Sequence, residues 1–210
     1  MIARFERLGA RVQGFAGDLA DSHFSETLVG EVAASFGRTS ALLVNSASIF
    51  RDDRLATLTA ESLDLHMRTN LTAPLLLTKA FAAALGKGEG SVVMLLDQRV
   101  RNPVPDQLAY SLSKQALHAS IRNLARDLAP RIRVNGVAPG LVLPTEDYDD
   151  AQWQRLTALM PLDRLPAPAD IAAAVVYLAR AHAVTGQTIY VDSGANLEAY
   201  PRDFVYMGRE

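Results

Sequence analysis

The sequence contains no cysteine, which excludes disulfides, thiolate metal sites and a cysteine nucleophile together and fits a reducing, cytosolic setting. It has no excess of either charge: 21 Lys and Arg stand against 23 Asp and Glu, a net charge of -2. The basic residues are scattered, so no broad positive field exists to draw in phosphate backbones, and nucleic acid is not an expected partner. The four histidines, His23, His66, His118 and His182, lie too far apart in sequence to form a local ligand cluster, and no metal site is expected. The opening segment MIARFERLGA alternates charged with apolar residues, so it is neither a signal peptide nor a membrane span. It reads as the tail of a helix. Repeats, linkers and low-complexity tracts are also missing.

What is present suits one domain over residues 1–210: the chain is 49% hydrophobic, enough to bury one substantial core. Short β-rich runs alternate with longer helical stretches, the signature of an α/β protein with a parallel sheet covered on both faces. The runs predict strands near Arg11 to Ala16, Ala41 to Asn45, Ser91 to Leu96, Arg131 to Val137 and Thr188 to Val191. Apolar residues every three or four positions predict helices over Ser62 to Leu85, Asp106 to Leu128 and Pro168 to Arg180. The longest irregular stretch, Ala138 to Asp150, precedes a short helix carrying Trp153, and a loop of that length is more often functional than idle.

In such sheets ligands sit beyond the carboxyl ends of the strands. The residues there are Gly17-Asp18-Leu19, Asn45-Ser46-Ala47-Ser48, Asp97-Gln98 and Ala138-Pro139-Gly140. Tyr110 and Lys114 stand four apart near a helix start, on one face. An ammonium beside a phenol favours the phenolate and makes the phenol a better proton donor; an exposed helix pair would have the same spacing. Asp97 ends an apolar strand and either hydrogen-bonds the phenol or a polar ring, or serves only as a turn former. Asn70 sits inside a long helix four residues before Pro74. Proline lacks an N–H, so the Asn70 carbonyl loses its helical partner and becomes free for water or a side chain, unless the feature is only a packing kink. Phe50 either stacks on a planar ligand or fills the core.

With these pieces in order, the chain resembles the short-chain dehydrogenase/reductase family over nearly its whole length. The matching blocks are Asp18-Leu19, Asn45-Ser46-Ala47-Ser48, Asn70, Tyr110 to Lys114, Asn135-Gly136-Val137-Ala138-Pro139-Gly140, and Val184-Thr185-Gly186-Gln187 followed by Val191-Asp192-Ser193-Gly194. The resemblance implies a Rossmann-like doubly wound sheet. It makes Tyr110 the proton donor, with Lys114 holding the nicotinamide ribose and lowering the tyrosine pKa, and Asn70 holding a water in a proton relay. It sets Asp18 and Leu19 beside the adenine, Asn45, Ser46, Ala47 and Ser48 along the cofactor, and Pro139, Gly140 and Leu141 at the nicotinamide, with the following loop closing over substrate.

Two departures sharpen the expectation. Asp97 stands where most of the family has Ser, and Ser48 where it has Gly; with Phe50 two residues on, the pattern resembles the pteridine reductases and dihydromonapterin reductases. That resemblance implies a pterin substrate bound by Ser48, Phe50, Asp97, Tyr110 and Trp153, and NADPH as cofactor, with NADH left open. A ketone or alcohol substrate, or a non-catalytic member acting by association, are the alternatives. The family's glycine-rich turn between its first strand and helix is missing from the sequence, as roughly the first two strands are expected to be, leaving a gap between the Ala16 and Asn45 strands. Either the protein is longer and Met1 is internal to it, which an unpaired sheet interior favours, or this is a short form with impaired cofactor binding. The family resemblance further implies that the Asn70 and Tyr110 helices pack against a partner subunit in a homodimer or homotetramer. The tail from Tyr200 to Glu210 could reach a neighbouring subunit's site, but nothing in its composition requires this.

Overall fold

The unbroken apolar run Val92 to Leu96 and the run holding Val134 and Val137 form the centre of a parallel sheet, as strands covered on both faces should. In the computed structural model, which describes residues 5–209, four strands lie in the order β1 (Leu42–Asn45), β2 (Gly90–Leu95), β3 (Ile132–Pro139) and β4 (Thr188–Val191). Asn45 sits opposite Met94 and Pro139 opposite Val191, so the carboxyl ends of the strands line one edge of the sheet. Among the described residues six helices of at least two turns accompany them: α1 (Ser22–Phe36), α2 (Ala60–Met67), α3 (Ala73–Leu85), α4 (Leu108–Leu128), α5 (Asp150–Ala158) and α6 (Pro168–Arg180).

Successive strand side chains point to opposite faces, and the core divides accordingly. Val92, Met94 and Val134 pack on one face with Val29 of α1, Phe81 of α3 and Leu117 and Ile121 of α4. Val93 and Val137 pack on the other with Leu178 of α6. Each such fully buried side chain contributes about 1.5–3 kcal/mol. Gly136 lets α4 lie close on β3, since a Cβ there would meet Ile121 Cδ1 at 2.7 Å and Leu96 Cδ1 at 2.8 Å. A third cluster, Leu156, Met160, Ala195 and Phe204, ties α5 to the strap of residues 196–206. No helix among the described residues is long and apolar enough to cross a membrane.

The expected α/β architecture is observed, with three local differences. Arg11 to Ala16 is not a strand: it runs as irregular chain beside α1, with Arg11 Nη2 donating to Ser35 O at 2.6 Å and its guanidinium 4.7 Å above the Phe36 ring. A strand exists only where its backbone groups pair, and the outer edge of β1 carries no strand among the described residues, so the sheet ends at β1 instead of resuming beyond a gap. Secondly, the helix expected over Ser62 to Leu85 is α2 and α3 joined by a π turn, Arg68–Thr72, closed by Ala73 N–H to Arg68 O. The turn absorbs the missing N–H of Pro74, which then sits in the first turn of α3. Thirdly, α4 starts at Leu108, where the Asp53 carboxylate accepts the Ala109 N–H at 3.1 Å. Of the opening segment, Met1 to Arg4 lie outside the described residues; Phe5 and Glu6 are helical and end in a turn with Gly9 N–H on Glu6 O at 2.9 Å.

Candidate active site

Strand β2 delivers Asp97 just beyond its carboxyl end, and α4 begins opposite with Tyr110 in its first turn. The Tyr110 hydroxyl donates to Asp97 Oδ2 at 2.9 Å. One turn later Lys114 Nζ donates to the Leu95 carbonyl at 2.8 Å and lies 5.8 Å from the Tyr110 ring centroid. Tyr110 and Lys114 are both buried. Burial pushes the Lys114 pKa down to about 8, the Asp97 charge opposing the shift. The phenol moves the other way from the sequence expectation. Burial first, and the Asp97 carboxylate second, push its pKa well above the ordinary value. The Arg99 guanidinium pulls the other way without overcoming them. Tyr110 is thus a firmly protonated acid in this arrangement.

Arg99 lines the same cleft as Asp97 and Tyr110 and was not singled out by the sequence. Asp97 opens a single turn of 3-10 helix, Gln98–Val100, accepting the Arg99 N–H at 2.8 Å. That turn swings the Arg99 guanidinium back onto the same carboxylate: Nε lies 3.2 Å from Oδ1 and Nη2 3.2 Å from Oδ2. Burial alone would raise the Asp97 pKa, but the Arg99 charge and hydrogen bonds outweigh it and hold the carboxyl below its usual value. The spacing Asp-x-Arg was the available signal, and it is too common to stand out. Arg99 Nη1 also reaches Asp203 Oδ2 at 2.5 Å. The strap bearing Asp203 folds onto its own chain's site, where Asp203 finds its counter-ion and its N–H donates to the buried Asp106 carboxylate at 2.9 Å.

Asn70, in the π turn, is fully buried and uses its side chain. Oδ1 accepts from the Ile49 N–H at 2.9 Å and the Ser48 hydroxyl at 3.1 Å; Nδ2 donates to Ile49 O and Ser113 Oγ, each at 3.0 Å. One amide thus binds the segment after β1 to α4. That anchoring sets Phe50, 46% exposed, with its ring edge-on to Tyr110 at 4.8 Å between centroids. Ser48, Phe50, Asp97, Arg99, Tyr110, Gly140, Leu141, Tyr148 and Asp203 surround a cleft of about 220 Å³. Trp153 is not in this wall. It backs Tyr148 instead, with centroids 5.5 Å apart.

A second cavity, of about 310 Å³, runs along the end of β1 past Leu19, Asn45, Ser46, Ala47 and Thr69. Asn45 Nδ2 reaches Met94 Sδ at 3.2 Å, while its buried Oδ1 has no donor among the described residues. The unpartnered Asn45 Oδ1 beside this groove suits a hydroxyl or amide N–H of the nicotinamide cofactor that the family resemblance implies. Leu19 belongs to it; Asp18 is exposed beside it, its Oδ1 holding the Ala20 N–H at 2.9 Å. Pro139 ends β3, and Gly140 and Leu141 lead from it into the cleft. Gly140 crosses so close to β4's end that a Cβ would meet Asp192 Cα at 2.8 Å.

A family model described as Enoyl-(Acyl carrier protein) reductase matches residues 2–196. The crystal structure of FolM alternative dihydrofolate reductase 1 from Brucella canis, complexed with NADP, superposes with a TM-score of 0.83 at 35% identity, covering 93% of this chain and 78% of that one. The 3-oxoacyl-[acyl-carrier-protein] reductase FabG of Haemophilus influenzae is 33% identical over 196 residues, 90% of this chain and 81% of that protein. The dihydromonapterin reductase of Enterobacter sp. (strain 638) is 30% identical over 171 residues, 80% of this chain and 71% of that protein.

Proposed function

Because the chain belongs to the short-chain dehydrogenase/reductase family of oxidoreductases, we propose that it reduces a pterin or dihydropterin with NADPH. NADPH, when bound, supplies the hydride. Leu19, Asn45, Ser46 and Ala47 would border it along the groove at the end of β1, Lys114 would hold its ribose hydroxyls, and Pro139, Gly140 and Leu141 would border its nicotinamide. Tyr110 carries the transferable proton on its hydroxyl, and its raised pKa keeps that proton in place until a basic ring nitrogen arrives. Asn70 would seat a water behind the phenol through its helical carbonyl.

The carrying observation is the ionised Asp97 bonded to Tyr110 in a cleft faced by Phe50. A carboxylate only accepts hydrogen bonds, so it suits a substrate edge that offers N–H groups beside the nitrogen to be protonated. Phe50 and Tyr148 offer aromatic surface to a flat ring. The names of the Brucella and Enterobacter relatives support the same reading. Reduction of a ketone is the second reading, supported by the acyl-carrier-protein reductases among the relatives. A carbonyl oxygen, however, would bring no donor to Asp97. The cysteine-free composition supports a cytosolic setting, and family membership supports a dimer or tetramer, which light scattering checks.

The deciding experiment is NADPH oxidation by purified protein with a dihydropterin against a 3-oxoacyl thioester. Higher kcat/KM for the dihydropterin is expected. Turnover of the thioester alone would overturn the pterin reading.

A further inference from the structure

Beyond Tyr110 and Lys114, the densest set of buried charges centres on Arg99, whose side chain is 9% exposed. Its fork spans both oxygens of Asp97, each at 3.2 Å. Its remaining nitrogen, Nη1, is taken by Asp203 Oδ2 at 2.5 Å and Gln107 Oε1 at 3.2 Å. The flat guanidinium lies 5.2 Å from the Phe50 ring centroid and 5.1 Å from that of Tyr110. We infer that Arg99, held by Asp203 of the strap, is a positioning residue that aims the Asp97 carboxylate at the Tyr110 hydroxyl and keeps it an acceptor. The inference rests on the Tyr110 and Asp97 pair being the proton-handling site proposed above.

The geometry is what separates this from an ordinary buried ion pair, which by itself adds little stability. A bidentate Arg and carboxylate contact fixes the plane of the carboxylate as well as its distance. With the plane fixed, Oδ2 meets both Arg99 and the Tyr110 hydroxyl, and Asp97 lines the cleft. Asp203 closes the arrangement from a segment 104 residues away in sequence. Its own surroundings are charged as well, since the neighbouring Asp106 is paired with Arg54 and Arg202. The groups facing Asp97 are therefore Arg99 on its own turn, Tyr110 and Lys114 on α4, and Asp203 on the strap.

Three variants test the role: Arg99→Gln, which removes the charge; Arg99→Lys, which keeps the charge without the fork; and Arg99→Gln/Asp203→Asn, which removes one charge of each sign. Two readouts are needed, the pH profile of NADPH oxidation and the infrared stretch of the protonated Asp97 carboxyl, assigned by its loss in Asp97→Asn. In Arg99→Gln, Asp97 is expected to take its proton roughly one to three pH units higher than in the wild type, and the acid limb of kcat should move with it. Arg99→Lys should restore the acid limb while kcat stays down roughly ten- to hundredfold, because the fork is lost. Should Arg99→Gln fail to fold, the charge-balanced double variant carries the same infrared test. An unmoved Asp97 titration overturns the inference, and so does an Asp97 titration that moves without the acid limb. If the wild type oxidises no NADPH with any dihydropterin, the substrate reading fails; the acid limb is then read with whichever substrate turns over, and an unmoved Asp97 infrared titration still overturns the role of Arg99.

Discussion

The Tyr110 hydroxyl and Asp97 Oδ2 meet at 2.9 Å, one residue from the first turn of α4 and the other from just past the end of β2. In the proposed reaction, the proton on that bond is the one given to substrate. Replacing Tyr110 with Phe removes it while keeping the ring that packs on Phe50. Tyr110→Phe should lower kcat by roughly a hundredfold or more, with NADPH affinity by fluorescence titration little changed. A kcat within a factor of a few of the wild type would take Tyr110 out of the chemistry.

Lys114 ties stability to pH. Its pKa is about 8 in the folded protein against 10.5 for an ordinary lysine, so over that window the unfolded chain binds more protons and stability rises with pH. The cost of burying the ammonium is fully present below pH 8. Compared with Lys114→Met, the wild type should gain about 3 kcal/mol between pH 7 and pH 11. Urea unfolding of both proteins across that range measures the difference, and parallel curves would contradict it.

Asp106 anchors the strap. Its buried carboxylate accepts from Arg202 Nε and the Asp203 N–H, each at 2.9 Å, and pairs with Arg54. Burial would raise its pKa, but the Arg202 and Asp203 hydrogen bonds outweigh that and lower it. The resulting stabilisation is present above the ordinary carboxylate pKa and lost as pH falls through the lower folded value. Asp106→Asn should cost about 2–4 kcal/mol and open the 196–206 segment to limited proteolysis at neutral pH.

Gly140 leaves no room for a methyl group, with Asp192 Cα and Cβ both 2.8 Å from where it would sit. Both contacts belong to the end of β4, which is paired with β3 and has little freedom to move. Gly140→Ala should destabilise the protein by about 1–3 kcal/mol and displace Leu141 from the cleft wall. Thermal melting reads the first effect, and a raised KM for substrate reads the second.

Most of the architecture was legible because its signals are local. The apolar runs of β2 and β3 and the 3.6-residue period of α6 need no partner to be recognised. Tyr110 and Lys114 share a helix face by spacing alone, and Asp97 follows its strand directly. What was illegible depends on distant chain. Arg11 to Ala16 has strand-like composition, but pairing decides whether a strand forms. Arg99 owes its placement partly to Asp203, and the reversal of the Tyr110 pKa shift comes from burial in the folded chain and then from the Asp97 carboxylate beyond β2. Trp153 carried the conspicuous aromatic signal, yet the chain turns Tyr148 into the cleft and uses Trp153 behind it.

The distance of 104 residues between Arg99 and Asp203 also has a meaning in time. At translation rates of about 5–20 residues per second, the guanidinium is made on the order of ten seconds before its second carboxylate exists. For that interval the nascent chain can assemble β2, α4 and the Tyr110 contact, but Arg99 answers to Asp97 alone. The cluster around Arg99 is therefore completed only once Asp203 has been made, so ribosome-bound intermediates stalled before Asp203 should be folded at the sheet and immature at the candidate site.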